Sequence, residues 1–100
     1  MTVVQGQFEW DSEKNEINVK KHGFSFEEVL DVFNDPHFIE RVDLEHPTIE
    51  EERFIGIGNI NGLTIVATIY TERDRIRIIS SRIATKQEEV YYYEQRNLYS

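Results

Sequence analysis

The 100-residue sequence predicts an α+β fold: a short N-terminal strand, two helices, a four-stranded antiparallel sheet and a C-terminal helix. Three observations predict it. Two β-branched, apolar runs flank Asn61-Gly62, the strongest short-range hairpin signal. Ser25 with Glu28 and Thr85 with Glu88 have the spacing of capping boxes, each ahead of a helical pattern. The stretch Arg73 to Arg82 alternates isoleucine with polar residues as a strand does, and carries four arginines in an otherwise acidic chain.

Gln7 to Asp11 alternates apolar and polar residues and reads as the short first strand. Asp11 or Ser12 then caps a helix from about Glu13 to His22, with acids near its positive end and Lys20, Lys21 and His22 near its negative end. Gly23 closes it, because the left-handed C′ conformation is open to glycine. The second helix starts at Ser25 and presents Phe26, Val29, Leu30 and Phe33 on one side until Asp35-Pro36 stops it. Strands are expected at Phe38 to Leu44, Arg53 to Ile60, Leu63 to Glu72 and Arg75 to Arg82, with an acidic loop, Glu45 to Glu52, after the first of these. Gly56 and Gly58 require that their strand be bulged, bent or closely approached by another element. Thr85 to Asn97 forms the last helix, with Lys86, Val90, Tyr93 and Asn97 on one face and Tyr92 on another. Strands 7–11 and 38–44 are expected at the sheet edges, where a partner strand could pair.

Composition narrows the function. One hundred residues with 39% hydrophobic and 30% charged content describe a globular chain forming one domain, residues 1–100. No apolar run approaches the roughly 20 residues that span a bilayer, and Met1 to Gln7 does not read as a signal peptide, so a cytoplasmic protein is expected. With no cysteine there is no disulfide frame, thiolate nucleophile or zinc ribbon. The net charge of −8 is polarised: residues 1–52 hold fourteen acids against four bases, and residues 53–100 hold seven bases against five acids. The basic half fits either a polyanion or an acidic partner.

Gly56-Ile57-Gly58 lacks the third glycine of a nucleotide loop, and His22, His37 and His46 have no metal-ligand spacing. The group that can carry a reaction is the arginines with a nearby proton carrier. Guanidinium groups neutralise a scissile phosphate, while a histidine, glutamate or tyrosine moves protons. Strand parity sets Arg75 and Arg77 on one face and Arg82 on the other, with Ile76 and Ile78, unless a bulge near Ser80-Ser81 shifts the register.

A family resemblance rests on a set of residues in order. These are Phe8-Glu9-Trp10-Asp11, Lys14, Asn18, Lys21-His22-Gly23, Ser25 to Glu28, Val32-Phe33, Asp35-Pro36, Asp43, His46, Glu51-Glu52-Arg53, Ile57-Gly58, Thr71-Glu72-Arg73 and Arg75 to Ala84. From about residue 7 to 93 the chain resembles the BrnT family, the toxins of type II toxin-antitoxin pairs within the RelE-like ribonucleases. The resemblance implies a RelE-like fold and a ribonuclease that cleaves RNA and inhibits translation. It implies neutralisation by a BrnA-like antitoxin, with operator DNA met only through that antitoxin. Ribosome-bound mRNA is a natural substrate for so acidic a toxin, because the ribosome contributes affinity. It further implies Arg73, Arg77 and Arg82 as phosphate and transition-state groups, with Tyr92 or His22 assisting proton transfer. Lys21, Arg53, Arg75 and Lys86 would bind RNA, and no metal or other cofactor is expected. The alternatives are a catalytically inactive module of the same fold that acts only in a toxin-antitoxin complex, and a sensor of small anions.

Overall fold

A computed structural model describes residues 1–44 and 51–99; His46 and most of the acidic loop lie outside the described residues. The chain forms β1 (Thr2–Gln5), β2 (Phe8–Asp11), α1 (Ser12–His22), α2 (Phe26–Val29), a 3₁₀ turn (Leu30–Asn34), β3 (Ile39–Val42), β4 (Arg53–Asn59), β5 (Ile65–Glu72), β6 (Ile76–Ile83) and α3 (Lys86–Tyr99).

The caps read from the sequence are made. The Asp11 carboxylate accepts from the Glu13 N–H, and Gly23, at φ 83°, donates to the Val19 carbonyl at 2.8 Å. Ser25 and Glu28 form a reciprocal capping box, as do Thr85 and Glu88. The second helix holds α-geometry for only four residues before tightening to a 3₁₀ turn.

The sheet differs from the expected four antiparallel strands. It has six, in the order β1-β2-β6-β5-β4-β3, and is mixed. Strand β2 pairs parallel with β6 and antiparallel with β1, so residues 7–11 lie inside the sheet and β1 takes the edge. Strand β3 is the other edge, as expected. The β4–β5 connection also departs from a two-residue type I′ turn, which needs positive φ at both Asn61 and Gly62; only Gly62 has it. The Asn59 and Asn61 side chains capture the turn's backbone instead. Asn61 Oδ1 accepts from Leu63 and Thr64, and the strands part at Asn59 and Ile65.

Two apolar clusters sandwich the sheet. Trp10, Phe24, Phe26, Val29, Val32, Val66 and Ile78 pack beneath α1 and α2, whereas Ile55, Ile57, Ile65, Ala67, Ala84 and Tyr92 pack beneath α3. The α3 face is not the one that periodicity suggested: Glu88 and Tyr92 are buried and Val90 is 44% exposed. Gly56 and Gly58 mark close approach. A Cβ at Gly56 would lie 2.5 Å from Phe38 Cε2 and 2.9 Å from Tyr70 Cε1, and one at Gly58 would lie 2.8 Å from Val32 Cγ1. Gly56→Ala should therefore overpack this layer and cost about 1–3 kcal/mol. Urea unfolding of the variant checks this, and an unshifted midpoint would mean the Phe38 ring yields freely.

Candidate functional site

The decisive local feature is a bulge in β6. Opposite β5 the register runs Tyr70 to Ile78 and then Ile69 to Ser80, leaving Ile79 as the extra residue. Without it, Arg77 and Arg82 would project to opposite faces. With it, Arg77 stands opposite Thr71 and Arg82 opposite Ala67, and both project to the α3 side.

The register defines a row across that face. Arg53 on β4 lies opposite Thr71 on β5, Thr71 opposite Arg77 on β6, and Arg77 beside Glu9 on β2. The Arg77 Nη1 donates to Glu9 Oε2 at 2.6 Å. Four residues along β5, about 13 Å, Arg82 makes a forked pair with Glu88 at 2.6 and 3.1 Å. Glu88 also accepts from the Thr85 N–H at 2.8 Å, so the α3 cap fixes the carboxylate that fixes Arg82. Beside Arg82 opens a cleft of about 430 Å³ lined by Arg41, Val42, Asp43, Leu44, Ile55 and Glu88. The Arg41 guanidinium lies over the Tyr91 ring, 5.7 Å from its centre.

The other expected site residues divide clearly. Arg73 is at the β5–β6 turn, exposed, with Nε and Nη2 each 2.7 Å from Glu51 oxygens. Arg75 is exposed in the same turn, and Lys86 is exposed at the start of α3. Lys21 and His22 end α1, which packs on the opposite side of the sheet through Asn18 and Ser81. His22 lines a separate cleft there of about 370 Å³ with Phe24, Glu28, Ile60 and Ile83. Tyr92 is 2% exposed, and its hydroxyl donates to Asp35 Oδ2 at 2.6 Å. The structure thus brings Arg53, Arg77 and Arg82 to one face and Arg73, Arg75 and Lys86 to its rim. It leaves Lys21, His22 and the Tyr92 hydroxyl elsewhere.

The electrostatics follow from these contacts. Burial pushes the Glu88 carboxyl up, but the Arg82 hydrogen bonds, the Thr85 N–H and the Arg82 charge outweigh it and hold it below the ordinary carboxylate value. Asp35 is lowered in the same way, burial being overcome by donation from Tyr92, His37 and Asn59. Burial and the Asp35 carboxylate push Tyr92 well above an ordinary phenol, so it holds its proton. Glu51 is lowered by Arg73. Depressed folded-state values stabilise the fold above the unfolded carboxylate pKa, and that contribution disappears as pH falls through the folded value. Stability should therefore fall below about pH 4, with a smaller acid loss in Glu88→Gln. Thermal melts across pH 3–6 test it, and parallel curves for the two proteins would exclude Glu88 as a source.

Three residues escaped the sequence reading of this face. Glu9, Thr71 and Arg41 look unremarkable in isolation, and only cross-strand pairing reveals them. Extending the antiparallel register from the Asn61-Gly62 turn would have placed Thr71 against Arg53, but Glu9 had no such signal, because parallel neighbours share no turn.

Comparison with known proteins agrees with this architecture. Residues 10–88 match a family described as the ribonuclease toxin, BrnT, of type II toxin-antitoxin systems. The chain is also similar to the 1.1 Å crystal structure of the Brucella abortus ribonuclease toxin BrnT. The two are 31% identical, the match covers 77% of this chain and 94% of that one, and the TM-score is 0.56. No curated protein matches.

Proposed function

From the premise that the chain belongs to the BrnT family of ribonuclease toxins, whose type II systems pair each toxin with an antitoxin, we propose that RNA is cleaved on the α3-side face of the sheet without a metal ion. The observation that carries this reading is the Ile79 bulge, which sets Arg77 and Arg82 on one face. Arg82, held by Glu88, supplies the charge that stabilises the scissile phosphate as negative charge builds in the transition state. Arg77 and Arg53 hold a neighbouring part of the strand, and Arg73, Arg75 and Lys86 extend the cationic rim. Proton acceptance falls to a carboxylate on this face, Glu9, because Tyr92 keeps its proton in the core and His22 lies across the sheet.

The counter-ions shape the substrate. Glu9, Glu51 and Glu88 already engage Arg77, Arg73 and Arg82, so RNA must compete with carboxylates for them. With a net charge of −8, such a protein gains little from free RNA and much from a message presented by the ribosome. The antitoxin is BrnA-like and contacts any operator DNA itself. The toxin is one domain over residues 1–100 and acts in the cytoplasm; no described helix is long and apolar enough to cross a membrane.

The test is cleavage of RNA by purified protein, alone and with ribosomes, in EDTA. Cleavage is expected to persist in EDTA and to be faster with ribosomes. Loss of activity in the chelator would overturn the metal-free mechanism. Absence of cleavage in every condition would leave a module that only binds its antitoxin.

A further inference from the structure

We infer that Thr71 forms, with Arg53 and Arg77, an oxyanion subsite for an RNA phosphate distinct from the one at Arg82; the inference rests on the ribonuclease reading of this face. Thr71 is 1% exposed, and its Oγ1 has no hydrogen-bond partner among the described residues. The Arg53 Nε is also buried and without a partner among them. Buried donors are nearly always satisfied, and each exception calls for an explanation.

Packing does not provide one. A valine at position 71 would have the same shape and β-propensity without leaving a hydroxyl unsatisfied. The two orphaned groups are also cross-strand neighbours: Arg53 stands directly opposite Thr71, and Thr71 opposite Arg77. Two guanidiniums flanking a hydroxyl form a donor set with no acceptor in it, which matches the oxygens of a phosphate. The carboxylates near this set are Glu9, on Arg77, and Glu51, whose charge is felt by both Arg53 and Arg77. A phosphate would replace Glu9 on Arg77 and give Thr71 and Arg53 the acceptor they lack.

The subsite is separate from Arg82. Thr71 and Ala67 are four residues apart on β5, about 13 Å, and Arg82 is drawn towards Glu88 in α3 rather than towards Arg77. Arg82 and the Thr71 subsite therefore engage different phosphates of one strand, so the subsite governs substrate affinity and the length of RNA needed rather than the chemical step.

Steady-state cleavage of a short RNA by Thr71→Val, Thr71→Ser and Arg53→Gln tests this, together with titration of the wild type by inorganic phosphate followed through backbone amide resonances. Thr71→Val should raise KM roughly tenfold, the scale of one hydrogen bond to a charged group, with kcat within about twofold. Thr71→Ser, which keeps the hydroxyl, should restore KM, and Arg53→Gln should raise it similarly. Phosphate should shift the amides of residues 53, 71 and 77. Unchanged KM in both Thr71→Val and Arg53→Gln overturns the subsite while leaving the ribonuclease reading intact. Phosphate shifts at those amides without RNA cleavage would do the converse. A KM defect in Thr71→Val that Thr71→Ser does not restore would also overturn the inference, since packing rather than the hydroxyl would then be at work.

Discussion

Arg82→Ala should lower kcat for RNA cleavage by roughly 10²–10³-fold, the scale for loss of one positioned donor to developing charge. Induced in cells, the variant should no longer arrest growth. The guanidinium is 37% exposed and forked onto Glu88, so it faces the cleft while being held from behind. Arg82→Lys should recover only part of the activity, because an ammonium cannot reproduce the fork that Glu88 orients. Alanine also leaves Glu88 without its main counter-charge, so a melting curve belongs beside the kinetics. A well-folded Arg82→Ala protein that still arrests growth would remove Arg82 from the mechanism.

Trp10→Ala should produce the largest loss of stability, about 3–5 kcal/mol, because it deletes a fully buried aromatic side chain. That is a large share of the 5–15 kcal/mol typical of a domain. Trp10 meets the Phe26 ring edge-on, with centroids 6.3 Å apart, and sits on β2 where that strand joins β6. Removing it loosens both the α2 contact and the parallel pairing that brings Glu9 to Arg77. Trp10→Phe should cost distinctly less than alanine. It keeps most of the apolar volume, and the indole N–H it removes has no partner among the described residues. Urea midpoints of the two variants check the order, and equal losses would show that the N–H matters more than the volume.

Sequence and structure divide along a physical line. Asp11, Gly23, Ser25 with Glu28, and Thr85 with Glu88 act over two to four residues, so the sequence identified them and the structure makes each contact. The consecutive strands β4, β5 and β6 were legible for the same reason, since antiparallel neighbours joined by short turns carry their pairing in local order. The resemblance to BrnT toxins was also legible, because its residues recur in order along the chain.

The site itself was only half legible. The arginines were visible, but their grouping was not, because parity placed Arg82 opposite Arg77 until one inserted residue, Ile79, reversed it. Tyr92 and His22 carried the right chemistry for proton transfer, yet burial against Asp35 removed one and α1 packing placed the other across the sheet. Glu9 entered the face because residues 8–10 pair in parallel with residues 76–78. The sequence alone determined which short segments become helices and strands, and which residues cap them. Tertiary structure decided which strand lies beside β6 and which face Arg82 joins, because parallel pairing and a bulge depend on packing between segments far apart in the chain, where no local signal exists.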